Sequence, residues 1–136
     1  MVISQLIQPK SIAVIGASDN TTKPGGMVLK NLINGKFEGK IFAVNPKPVN
    51  SEGVTYVAEL GNLETVDLAI IAIPASQCLD MVRTLLKNGT KAFIVFSAGF
   101  SEAGEQGIQL EKELVDMVNK AGGTLIGPNC VGIISK

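Results

Sequence analysis

Residues 67–73 read DLAIIAI, seven positions with one charge at the leading edge and no alternation of apolar with polar. A strand with one wet face alternates with a period of two, so a run that is apolar throughout is a strand covered on both faces. Strands of that kind belong to parallel sheets, whose crossover helices blanket both sides. Pro74 closes the run. The apolar stretch it heads, residues 68–75, is far shorter than the roughly 20 residues a membrane helix needs.

The rest of the chain repeats the pattern. Residues 11–16 (SIAVIG) and 41–45 (IFAVN) read as further buried strands, the second cut off by Pro46 and Pro48. Residues 92–96 and 124–126 read the same way, and residues 54–57 as a short third strand. Between them lie amphipathic helices. Residues 26–34 carry Val28, Leu29, Leu32 and Ile33 on one face, with Gly35 at the stop position. Ser76 is positioned to cap a helix whose face is Cys78, Leu79, Val82, Leu85 and Leu86, ended by Gly89. Ser101 is positioned to cap a third, carrying Leu110, Leu114, Met117, Val118 and Ala121 up to Gly122–Gly123. The expected fold is a three-layer, Rossmann-like α/β domain with a mainly parallel sheet. No linker, repeat or low-complexity segment interrupts residues 1–136, which read as a single domain.

Apolar residues make up 46% of the 136 and charged residues 18%, a globular balance. Twelve basic and twelve acidic residues cancel, so nothing global calls for nucleic acid. The charges are unevenly placed. Residues 1–50 hold six lysines against Asp19 and Glu38, a net +4, and the remainder is correspondingly −4. A basic first half suits a phosphate-bearing ligand, though solvated lysines scattered over a surface would look the same. Cys78 and Cys130 give neither a disulfide framework nor metal-ligand spacing, and the first ten residues do not read as a secretory signal. A reduced cytoplasm and no membrane association are expected.

In open parallel sheets ligands bind beyond the carboxyl ends of the strands, where the strand order reverses. That rule selects residues 16–26, 45–47, 73–76, 97–100 and 127–132. In the first (GASDNTTKPGG), Gly16 permits a tight turn and Gly25 and Gly26 let backbone N–H groups approach an anion at a helix start. Ser18, Thr21, Thr22 and Lys23 add donors. The segment matches neither G-x-G-x-x-G nor the G-x-x-x-x-G-K-[ST] loop, so an ordinary glycine-rich connection stays open beside phosphate binding. After the second strand a dinucleotide enzyme places an acid for the ribose diol, but here stand Asn45, Pro46 and Lys47. A lysine attracts a ribose phosphate that an acid would repel. The same residues would also serve as a simple turn. Ile73, Pro74 and Ala75 offer an apolar surface to a base or a pantetheine arm, unless Pro74 only ends a strand and starts a helix. Ser97, Ala98, Gly99 and Phe100 offer a second wall, unless Phe100 is core.

The stretches SIAVIGAS, KIFAVNPK, VDLAIIAIPA, FSAGFSE and GPNCVG, in this order along nearly the whole chain, resemble the N-terminal CoA-binding domain of ADP-forming acyl-CoA synthetases, a family related to the succinyl-CoA synthetase alpha subunit. The resemblance implies coenzyme A as ligand, its phosphates held by Gly16, Ala17, Ser18, Lys23 and Gly25. It implies that Lys47, beside Asn45, answers a phosphate of the 3′-phospho-ADP moiety. Ile73, Pro74, Ser97, Ala98 and Gly99 would line the adenine and pantetheine path. The loop departs from the tighter T-G-x-Q-G loop of the succinyl enzyme. Asn129 and Cys130 of GPNCVG would border the catalytic centre. As a nucleophile Cys130 has no histidine to activate it, and a buried loop thiol is the plain alternative.

The chain contains no histidine at all. The reaction the resemblance implies, acyl-CoA + ADP + phosphate ⇌ carboxylate + CoA + ATP, runs through an acyl phosphate and a phosphohistidine. That histidine and the ATP-grasp nucleotide site belong to other parts of such enzymes. The chain is therefore expected to be a fragment, a split subunit or a stand-alone CoA binder, without catalysis of its own. Its expected partners are the remaining ligase domains or an ATP-grasp subunit, and an oligomer stays open. Two other readings remain: a regulatory CoA-binding domain, such as those attached to protein acetyltransferases, and an NAD-binding sensor or oxidoreductase domain. Asn45 and the missing fingerprint count against the last.

Overall fold

The computed structural model describes residues 9–96 and 105–126. Within them run the strands β1 (Ser11–Ile15), β2 (Lys40–Val44), β3 (Thr55–Val57), β4 (Leu68–Ile71), β5 (Ala92–Val95) and β6 (Thr124–Ile126). The helices are α1 (Pro24–Asn34), α2 (Ala75–Lys87) and α3 (Glu105–Lys120), with one 3-10 turn at Leu60–Asn62. Every strand pairing is parallel, and the order is β3-β2-β1-β4-β5-β6. This is the doubly wound arrangement, reversing direction between β1 and β4.

Alternation along each strand builds the two cores. Ile12 and Val14 of β1, Ile41 and Ala43 of β2, and Ile70 and Ile94 point to the α1 side, against Val28, Leu29 and Leu32. Ala13, Ile15, Phe42, Ile71 and Phe93 point the other way, against Cys78, Val82 and Leu85 of α2 and Leu114 and Val118 of α3. The continuous burial of β4 is the physical content of the DLAIIAI run, now sandwiched between layers, and β5 is buried throughout in the same way. Each fully buried Ile, Phe or Leu there contributes about 1.5–3 kcal/mol. Among the described residues no helix is long and apolar enough to cross a membrane.

Helix ends agree with the sequence reading in part. Gly89, at φ +102, closes α2, with its N–H donating to Leu86 O (3.0 Å) and that of Thr90 to Leu85 O (3.0 Å). That is a Schellman cap on the expected glycine. At α1 the same pair of bonds forms, Lys36 N to Ile33 O (3.1 Å) and Phe37 N to Leu32 O (3.2 Å). The left-handed residue is Lys36 (φ +56), however, and Gly35, at φ −76, only precedes it. Ser76 does not cap α2. The helix begins at Ala75, two residues earlier than a Ser76 cap requires, so Pro74 is the N-cap and Ser76 lies inside the first turn. Ser101 lies outside the described residues.

Candidate nucleotide site at the strand reversal

The reversal brings the ends of β1 and β4 side by side. Ala72 N donates to Ile15 O (2.8 Å) and Gly16 N to Val44 O (2.8 Å), carrying the pairing one residue past the strands. Gly16 sits there at φ +88, where a Cβ would collide with the Ala72 carbonyl oxygen and come within 2.9 Å of Ile73 Cγ2. Glycine is required twice over at this point, by backbone angle and by space.

The following loop folds down onto the start of α1. A Cβ on Gly25 would strike the Gly16 carbonyl, and one on Gly26 the Asn20 carbonyl, so the two glycines let the helix N-terminus press against its own entry loop. Lys23 is the N-cap and Pro24 the first helical residue. Proline fits there because the first N–H groups of a helix have no partner within it. The loop is stiffened internally. Asn20 N donates to Ser18 Oγ (3.0 Å), while Thr22 donates from both N (3.0 Å) and Oγ1 (2.7 Å) to Asn20 Oδ1. Ala17 is buried with the α1 core, and Lys23 is exposed.

Asn45 ties the second strand end to this loop. Its Nδ2 donates to Ala17 O (2.7 Å), and its Oδ1 accepts from Lys47 N (2.9 Å). Tyr56 of β3 donates its hydroxyl to Asn45 O (2.8 Å). The side-chain amide of Asn45 is thereby engaged in setting the shape of the Asn45–Pro46–Lys47 turn, which leaves Lys47 exposed at its apex. Asp19 reaches the far side of the same segment. Its carboxylate accepts from Asn50 N (2.9 Å) and Ser51 Oγ (2.7 Å). These donors hold the carboxyl below its ordinary value, the Asn50 backbone bond contributing most.

A cavity of about 460 Å³ opens beyond β1, β2 and β4 on the α2 side, at the predicted reversal. Gly16, Asn45 and Ile73 are among the residues that line it. Glu59 and Leu60, following β3, and Gln77, Met81 and Thr84 of α2 line it as well, and sequence reasoning did not include them. The α2 residues were visible in principle. They form a stripe at i, i+4, i+7 beside the buried Cys78–Val82–Leu85 face. Glu59 and Leu60 could be placed only once β3 was known to lie next to β2. The walls are mainly apolar, and the volume is within the range of small-molecule sites. Pro74 is exposed at the α2 start. Ser97, Ala98, Gly99, Phe100, Asn129 and Cys130 lie outside the described residues.

Comparison with known proteins agrees with this geometry. Residues 10–136 match a family model described as a CoA binding domain. The chain is 42% identical over 134 residues to the ADP-forming acetate–CoA ligase I of Archaeoglobus fulgidus, covering 98% of this chain and 19% of that one. It is 37% identical to the alpha subunit of the corresponding ligase I of Pyrococcus furiosus, covering 98% and 30%. Among solved structures, an acetyl-coenzyme A synthetase of Ca. Korarchaeum cryptofilum in complex with phosphate and ADP superposes with a TM-score of 0.83 at 33% identity. That match covers 94% of this chain and 27% of the other. The chain thus spans less than a third of these relatives.

Proposed function

Because this chain belongs to the CoA-binding domain family, we propose that it binds coenzyme A as the nucleotide-holding module of an ADP-forming acyl-CoA synthetase. The observation that carries this reading is the match of the family model to residues 10–136, seated on a cavity at the strand reversal. In the full reaction CoA is released from acyl-CoA while ADP and phosphate become ATP. The relatives named above are several times longer than this chain, and the chain holds no histidine to carry a phosphoryl group. The remaining ligase domains, or a separate subunit, are therefore the proposed partners.

Bound CoA would supply the thiol that leaves and re-forms the thioester. The residues of this chain bind and orient it. Gly16, Ala17, Ser18, Lys23 and Gly25 would hold the diphosphate, using backbone N–H groups at the α1 N-terminus where negative charge is favoured. Lys47 would meet the ribose 3′-phosphate, and Ile73 and Pro74 would form an apolar wall. Asn45 would act through the turn it shapes. Ser97, Ala98 and Gly99 would continue the wall, and Asn129 and Cys130 would approach the reacting centre.

Titration with CoA and dephospho-CoA, for the unaltered chain and for Lys47→Ala, tests the assignment. The unaltered chain should prefer CoA, and Lys47→Ala should lose most of that preference while keeping its affinity for dephospho-CoA. Equal affinity of the unaltered chain for both ligands would overturn the role of Lys47. The chain alone should make no ATP from acetyl-CoA, ADP and phosphate, and measurable turnover would contradict its role as a partial machine.

A further inference from the structure

The segment carrying Lys47 is fastened at both ends to the glycine-rich loop. At one end Asn45 Nδ2 holds Ala17 O (2.7 Å). At the other, the Asp19 carboxylate takes Asn50 N on both oxygens (2.9 and 3.2 Å) and Ser51 Oγ on one (2.7 Å). Between the two ties, Val49 is buried in the α1-side core, and Pro46 and Pro48 flank Lys47. Asp19 is also the only carboxylate side chain before Glu38, in a stretch otherwise suited to receiving anions. By Coulomb's law alone, a negative charge in that loop weakens the binding of a phosphorylated ligand. A neutral side chain would be the better choice if the position did nothing else.

We propose that Asp19 is a positioning residue, which latches residues 45–51 to the glycine-rich loop and so fixes Lys47 against the ribose-phosphate end of the bound nucleotide. The inference rests on the CoA reading above. The latch removes in advance the freedom that the 45–51 segment would otherwise lose on binding, and that ordering cost is a recognised drain on affinity. Its benefit falls on the part of the ligand that Lys47 meets. Ligands lacking the 3′-phosphate gain little from it.

Titration of CoA and dephospho-CoA into the unaltered chain, Asp19→Ala and Ser51→Ala gives the test. Asp19 and Ser51 lie at the surface or part-exposed, so both variants should keep the unaltered melting temperature within a few degrees. The latch predicts that Asp19→Ala weakens CoA binding about tenfold and dephospho-CoA binding much less, although a negative charge has been removed. Ser51→Ala, which breaks only one of the bonds, should move the ratio in the same direction by a smaller factor. Tighter CoA binding in Asp19→Ala is the simple electrostatic outcome and overturns the latch. An unchanged ratio, or equal losses for both ligands, does so too. Failure of the unaltered chain to bind CoA removes instead the reading on which the latch depends, and the two failures are told apart by that first titration.

Discussion

Replacing Gly16 with alanine measures how tightly the strand reversal is built. Two costs are separable. The backbone at φ +88 strains any L side chain, by about 1–2 kcal/mol. The new methyl also meets the Ala72 carbonyl and, at 2.9 Å, Ile73 Cγ2, atoms held by the β1–β4 pairing. Overpacking of that kind adds about 1–3 kcal/mol. Against these, alanine restricts the unfolded chain and returns about 0.4–1 kcal/mol. The net is about 1–4.5 kcal/mol, centred near 3, a large share of the 5–15 kcal/mol typical of a domain. Gly53 supplies the control, since it lies at φ +81 with nothing within 4 Å of its would-be Cβ. Gly53→Ala keeps the angular strain and lacks the collision, so it should cost about 1 kcal/mol or less. Urea unfolding of both variants, with equal slopes, reads the difference directly. Equal destabilisation by the two substitutions would refute the claim that β1 and β4 approach too closely for a side chain.

Lys36→Gly should stabilise the chain by about 0.5–1 kcal/mol, because the left-handed position in the α1 cap is held by a lysine; a lower urea midpoint would contradict that cap. Thr90→Val should cost about 1–3 kcal/mol by leaving Val66 O without its 3.0 Å donor in a buried site, measured by the same unfolding curves. Asp19 has a folded-state carboxyl below its ordinary 3.8, so its contribution is present above that value and disappears as pH falls through the folded one. The melting-temperature difference between the unaltered chain and Asp19→Asn should therefore shrink below about pH 4, and a difference that grows on acidification would reverse the assigned sign.

The sheet was legible because it is buried on both faces. DLAIIAI could serve as little else than a central strand, and glycine or proline marked most element ends. What the sequence could not show was which of two neighbouring residues would bear a special geometry. Gly35 looked like the terminator of α1, and the helix does end at Asn34, yet Gly35 keeps a negative φ and the left-handed angle falls on Lys36. Ser76 looked like a cap, yet Pro74 already supplies an extended backbone and a carbonyl that accepts Gln77 N at 2.9 Å. Of the residues lining the cavity, strand-end logic singles out Gly16, Asn45 and Ile73 but not Glu59 or Leu60, whose positions depend on β3 lying next to β2. Asn45 is picked out by its place after β2, but that its amide bonds Ala17 O and Lys47 N, and so shapes the turn, is visible only in the fold.

The central claim, that this domain holds CoA and not a dinucleotide, is tested most directly by calorimetric titration of the unaltered chain with CoA and with NAD under identical conditions. The account predicts a CoA dissociation constant in the micromolar range, about −8 kcal/mol, and NAD binding weaker by at least about tenfold. NAD binding as tight as CoA, or tighter, would contradict it.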